Sequence, residues 1–184
     1  MDVCRLRTSL RRGGCDPSVR LLRSGSTYTL AGDPQLVDLR RFTALLDRAQ
    51  RATAPQDVSR LAAQAFAEWR GAVLKDVACD RIRHGVAAAF DELQLTVQLL
   101  HVAAEFDLGN YWPLAAELAR LTEAQPEHET LLAFRAATLY ACGRRADALH
   151  VLASARAGMT AHLGLDLTRE LKDLQTTILR DGPV

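Results

Sequence analysis

Apolar residues recur every three or four positions through most of this chain, and the pattern is densest between Val86 and Gly109. Val86, Phe90, Leu93, Val97, Leu100 and Ala104 step along one helical face, while Leu95, Leu99, Val102 and Phe106 form a second stripe at the same period. A helix that is apolar on two sides has to be covered from two sides, so this stretch reads as the middle helix of a packed assembly. Asp91 and Glu92 fall on its solvated strip.

Gly109 reads as a left-handed helix terminator, and Gly143 closes the next long helical pattern 34 residues later. At that offset Ala103 matches Ala137, Leu118 matches Leu152 and Ala119 matches Ala153, with Pro126 where a unit would end. A period of about 34 is that of tetratricopeptide helix pairs. Thr160 replaces the second terminal proline, so two degenerate copies are expected. Such a unit cannot bury its own apolar face, which calls for flanking helices on both sides.

Those flanks are legible. Asp33 and Pro34 read as a cap and first-turn pair, followed by an amphipathic helix through Leu39, Phe42, Leu45, Leu46 and Ala49 to Arg51. Val58, Leu61, Ala62, Ala65, Phe66 and Trp69 give the next helix, stopped at Gly71, and 73–80 reads as a loop or short turn. Beyond Gly109, helices are expected over about 113–124, 127–142 and 145–163. Gly164 breaks the last of these, Asp166 reads as an N-cap, and Leu167, Leu171, Leu174 and Ile178 make a final stripe. The fold class expected is all-α: a tetratricopeptide-like helical repeat domain over 33–180.

The first 31 residues differ in kind. Residues 3–12 place Val3, Leu6 and Leu10 on one side of a short helix with arginines elsewhere, and Gly13, Gly14 and Pro17 end it. Two β-type segments follow, Val19 to Leu22 and Thr27 to Leu30, joined through Ser24, Gly25 and Ser26 as a hairpin. A basic helix followed by a hairpin is the back half of a winged helix, here a remnant of one helix plus hairpin. In that design the helix enters the major groove and the hairpin lies along the backbone, with arginines neutralising phosphates.

The whole-chain charge of +1 says nothing about partners, but residues 1–25 hold six arginines against two aspartates. Arg5, Arg7, Arg11, Arg12, Arg20 and Arg23 are the candidate DNA-contacting residues, set against a reading as a solvated basic helix. The four cysteines (Cys4, Cys15, Cys79, Cys142) form no C-x-x-C pair and are expected as reduced thiols. No two of the five histidines are three or four residues apart, so no metal site is expected. With no G-x-S-x-G, no phosphate-cradling glycine loop and no paired acids, neither a catalytic residue nor a cofactor is expected, and an enzyme is not the reading. No apolar run approaches the about 18 residues of a membrane span, so no membrane partner is expected and the cytoplasm is the expected location. Tyr111 and Trp112 follow Gly109; the repeat expects an aromatic at Tyr111 for packing, whereas Trp112, next to Pro113, is left near the surface as a candidate partner contact.

Three stretches carry a resemblance: Ala67-Glu68-Trp69-Arg70-Gly71, Leu139-Tyr140-Ala141-Cys142-Gly143-Arg144-Arg145-Ala146-Asp147-Ala148-Leu149, and Leu163-Gly164-Leu165-Asp166-Leu167-Thr168-Arg169-Glu170-Leu171 leading to Ile178-Leu179. In order and spacing they resemble the bacterial transcriptional activation domain of the Streptomyces antibiotic regulatory protein family. Residues 3–12 resemble that family's recognition helix, and Tyr28-Thr29-Leu30 the end of its wing, with Thr27 where a glycine is usual. The strands and two helices that precede the recognition helix in the family have no counterpart before Val3. Val3, Leu6 and Leu10 are therefore expected to lack their usual cover.

The resemblance implies a transcriptional activator of secondary-metabolite genes that binds promoter DNA and presents its helical domain to RNA polymerase or to another copy of itself as a homo-oligomer. The alternative is a stand-alone helical protein-interaction module that has lost DNA binding. A small-ligand pocket on the concave face of the repeats is a third reading.

Overall fold

The computed structural model describes residues 3–69, 71 and 80–183, the side chains of 80–86 excepted. Of the loop expected over 73–80, residues 73–79 lie outside the described residues, as do the Cys79 thiol, Arg70 and the Val86 side chain, while Asp80 is already helical. Among those described are α1 (Val3–Arg12), β1 (Arg20–Ser24), β2 (Thr27–Ala31), a 3-10 turn (Pro34–Leu36), α2 (Asp38–Arg51), α3 (Pro55–Ala67), α4 (Asp80–Asp107), α5 (Tyr111–Ala124), α6 (Glu129–Ala141), α7 (Arg145–Leu163) and α8 (Arg169–Leu179). The fold is all-α with one small hairpin. From α2 to α8 each helix packs on the next, and α4 also touches α2 and α6.

The two stripes of α4 meet two different cores. Leu93, Val97 and Leu100 pack with Phe42 and Leu46 of α2 and with Ala62, Ala65 and Phe66 of α3. Phe90 meets the Trp69 ring at 6.1 Å. Leu95, Leu99, Val102 and Phe106 face Leu114, Leu118 and Leu121 of α5 and Leu131 and Phe134 of α6. A third cluster closes the far end, where Leu132 and Leu139 of α6 and Val151 and Leu152 of α7 are covered by Leu171 and Ile178 of α8.

The 34-residue relation holds in the backbone. Gly109 and Gly143 take φ of 75° and 76°. Gly109 and Asn110 donate their N–H groups to the carbonyls of Phe106 and Glu105, both at 3.0 Å; Gly143 and Arg144 do the same to Tyr140 at 2.8 Å and Leu139 at 2.9 Å. Each is the paired 5→2 and 6→1 closure that turns a helix back on itself. Val97 and Leu131, Val102 and Ala136, Leu114 and Ala148, and Leu118 and Leu152 are buried at matching positions. The units α4–α5 and α6–α7 are thus two copies of one helix-turn-helix.

Element ends differ from the sequence expectation at several places, two of them set by a side-chain cap. Asp33 caps the 3-10 turn, accepting from Gln35 N at 2.8 Å, and α2 begins only at Asp38. α3 ends at Ala67, before Trp69, and α5 starts at Tyr111 because the Gly109 reversal already places Asn110 half inside it. α6 starts at Glu129, capped by the His128 ring accepting from Leu131 N at 3.3 Å. Asp166 is not the cap of α8, whose N-cap is Thr168. Its carboxylate is taken by Lys172 at 2.8 Å and Arg156 at 3.1 Å, tying α7 to α8.

A Cβ on Gly143 would meet nothing within 4 Å, so the cost of adding one is conformational. Gly143→Ala is expected to lower the unfolding free energy by about 1–2 kcal/mol, and Gly143→Asn by less, in urea titrations followed by circular dichroism. An alanine variant as stable as the parent would show that the reversal is not held in the left-handed region.

Candidate nucleic-acid interface

α1 is built as a surface helix. None of its residues is buried; Val3, Leu6 and Leu10 are half-buried and its four arginines are exposed. Arg11 and Arg12 lie in its last turn, where positive charge meets the negative end of the helix dipole. The helix is tied to the hairpin by the Arg7 guanidinium, which donates to the Leu21 carbonyl at 3.1 Å.

The hairpin pairs Arg20 with Ala31 through to Ser24 with Thr27, leaving Gly25 and Ser26 as the loop. Both strands extend one or two residues beyond the expected segments and the loop is correspondingly tighter. Arg23 stands opposite Tyr28. Its Nε donates to the Gly25 carbonyl at 3.0 Å, and its guanidinium carbon lies 6.0 Å from the Tyr28 ring centre, so the side chain folds over the hairpin tip. Leu22, Tyr28 and Leu30 are exposed.

The structure divides the six arginines. Arg7, Arg11 and Arg20 line a cleft of about 640 Å³ between α1 and β1, together with Leu10, Asp16 and Leu22. Arg5 and Arg12 share another face of α1 with Thr8 and Ser9. Arg23 is at the tip. Asp16 is the acidic group among the described residues of this unit; hydrogen bonding from Ser18 holds its carboxyl below the usual aspartate range, so it stays anionic.

Trp112 sits in the first turn of α5 and is 68% exposed. Tyr111 turns inward instead, meeting the Phe106 ring at 5.2 Å and 64°. Among the described residues no three His, Cys, Asp or Glu side chains gather as a metal site, and Cys15 and Cys142 are free thiols.

The side-chain pairs that carry charge inside the helical unit were invisible to periodicity. Arg41 at the start of α2 grips Glu68 at the end of α3 through Nε at 2.8 Å and Nη2 at 2.6 Å. His101 of α4 places Nε2 3.6 Å from the Glu117 carboxylate of α5, edge-on to Phe66 of α3 at 6.3 Å, while its Nδ1 is buried with no hydrogen-bond partner. Ser59 of α3 donates to Glu105 of α4, which also accepts from Asn110 at 2.7 Å. Apart from the Asn110–Glu105 bond, each pair joins residues distant in sequence, and only packing brings them together.

Residues 37–179 match the bacterial transcriptional activator domain. The chain belongs to that family. It is 30% identical over 185 residues to the transcriptional regulatory protein EmbR of Mycobacterium tuberculosis, covering 99% of this chain and 48% of EmbR. It is 32% identical over 160 residues to the regulatory protein DnrI of Streptomyces peucetius, covering 85% of this chain and 58% of DnrI. A solved structure of Mycobacterium tuberculosis EmbR in complex with a low affinity phosphopeptide has a TM-score of 0.88 and 30% identity to this chain, covering 99% of it and 49% of EmbR. The activator-domain chain thus spans about half the length of these curated relatives, which are transcriptional regulators. The likeness to EmbR takes in α1 and the hairpin as well as the helices.

Within the activator domain, the His101–Glu117 pair joins α4 to α5 and abuts Phe66 of α3. Glu117 raises the His101 pKa against the opposing cost of burial, with Glu105 adding in the same direction. A histidine whose folded pKa exceeds its unfolded value of about 6.5 stabilises the fold below that unfolded value and loses the contribution as pH rises through the folded pKa. Glu117→Gln should therefore lower Tm more at pH 5.5 than at pH 8.5. A deficit independent of pH would show that Glu117 acts through packing alone.

Proposed function

We propose that this chain is the regulatory part of a promoter-binding transcriptional activator of the antibiotic regulatory type, divided into a partial winged helix over 1–31 and an activator domain over 33–180. The observation that carries this reading is the attachment of an exposed, arginine-bearing helix and hairpin to an activator domain. Arg5 and Arg12, with Thr8 and Ser9, occupy the α1 face that enters the major groove. Arg20 and Arg23 on the hairpin meet flanking phosphates, and Arg7 and Arg11 act from the cleft between the two elements. Half or more of protein–DNA hydrogen bonds go to the backbone, so such a set positions the protein before it reads sequence.

The tetratricopeptide-like domain then presents its surface to RNA polymerase or to a second copy of the chain, and the exposed Trp112 is the anchor offered to that partner. The reading needs no catalytic group and no cofactor. It places the protein in the cytoplasm with the promoter; among the described residues no helix is long and apolar enough to cross a membrane. A second reading, a protein-interaction module without DNA binding, is favoured by one observation: α1 contributes no buried residue, so its hold on the rest is slight.

Fluorescence anisotropy with promoter DNA carrying direct repeats, across a salt series, separates the two. Specific binding that weakens steeply with salt is expected, and Arg5→Glu/Arg12→Glu should reduce the slope of log K against log salt by about 2. A folded sample with no specific binding would sink the DNA reading in favour of the interaction module.

A further inference from the structure

A cavity of about 310 Å³ opens between α5, α6 and α7, away from the arginine-rich helix and hairpin. One side is apolar: Leu132, Val151, Ala155 and Met159 line it and belong to the buried core. The other side holds Thr122 and Arg135, with His150 and Ser154 along α7. Its size is at the lower end of small-molecule sites, which run from about 300 to 1,000 Å³ and combine apolar walls with a few converging polar groups.

Arg135 is the unusual group here. It is half-buried, and its Nη1 donates to the Thr122 hydroxyl at 2.7 Å. That hydroxyl gives its own proton to the Leu118 carbonyl at 2.7 Å, so it can only accept from the arginine and holds it in place. None of the ion pairs among the described residues includes Arg135. The acid that lines the cavity, Glu127, is engaged by His162 at 3.5 Å. A guanidinium partly withdrawn from water ordinarily has a carboxylate partner, and this one keeps most of its five N–H donors for something else.

α7 leaves room for it. His150, Ser154, Gly158 and His162 recur every four residues along the lining, and a Cβ added at Gly158 would meet nothing within 4 Å. A helix-interior glycine costs about 1 kcal/mol relative to alanine, and no neighbouring atom here demands it. At Gly158 the lining is bare backbone, and a larger side chain there would project into open space.

We infer that this cavity binds a small organic oxyanion, a carboxylate or phosphate on a short apolar body, with Arg135 holding the anionic head and Leu132, Val151 and Met159 receiving the apolar part. The site is independent of DNA binding by α1. Occupancy stabilises the activator domain by mass action.

The test is calorimetric titration and thermal shift of the full chain with hexanoate, hexyl phosphate, inorganic phosphate and hexanol. Saturable binding by hexanoate or hexyl phosphate is expected, with inorganic phosphate and hexanol each weaker by about tenfold or more because each lacks one half of the recognition. Arg135→Gln should weaken the amphipathic anion by about tenfold or more. Gly158→Leu, a better helix former whose side chain fills the cavity, should keep the fold and abolish binding, and decides the matter if Arg135→Gln does not fold. Hexanol binding as tightly as hexanoate, no saturable binding by the folded parent, or undiminished binding by Gly158→Leu would each overturn the inference.

Discussion

The structure depends on one helix having to be covered on two sides. α4 carries Leu93, Val97 and Leu100 on one face and Leu95, Leu99, Val102 and Phe106 on another, and no single neighbour can bury both. Placing α2 and α3 on one face and α5 and α6 on the other satisfies the hydrophobic demand, and the rest follows from it. α6 then has an uncovered face, which α7 takes, and α8 closes the last exposed stripe through Leu171 and Ile178. This is the logic of repeats that stack because none can bury its face alone. The terminal helix is accordingly polar outward, with Asp173 and Arg169 exposed in an i, i+4 pair.

What keeps the stack in register is backbone geometry rather than side-chain chemistry. The glycine reversals after α4 and α6 are nearly identical in φ and hydrogen bonding, and each turns the chain back into the next helix, α5 or α7. Polar contacts then lock particular seams: Arg41 and Glu68 clasp α2 to α3, and Tyr140 donates to Asp181 at 2.8 Å to pin the chain end after α8. Because in the first of these two guanidinium N–H groups converge on one oxygen, Glu68 Oε2, in a partly shielded place, it holds geometry better than the exposed i, i+4 pairs, which contribute little.

The hydrophobic architecture was legible because it is periodic. The two stripes of α4, the 34-residue offset and the order of helices could all be read from spacing, since burial imposes a period that glycine punctuates. Spacing fails where one side chain chooses between partners. Asp33-Pro34 has the composition of an α-helix start yet caps a 3-10 turn, and Asp166 could cap α8 but is bound by two cations instead. Nor does any local pattern place Glu117 beside His101 or Thr122 beside Arg135, because those meetings are made by helix packing. The arginines were legible as a set; their division between a cleft and an outer helical face was not, since that depends on how α1 leans on the hairpin.

The small N-terminal unit and the large helical one answer to different physics. The helical unit is held by three apolar clusters, none of which includes a residue of α1 or the hairpin. A 10-residue helix is marginal alone, and α1 buries none of its residues; the Arg7 bond to the Leu21 carbonyl ties it to the hairpin. Its arginines also repel one another, in a unit whose two aspartates, Asp2 and Asp16, leave most of that charge unbalanced. Under the proposed function a phosphate backbone relieves that repulsion and supplies the missing surface, so binding and ordering of α1 reinforce each other. Ordering then costs part of the affinity, and the salt dependence belongs to the helix as well as to its contacts.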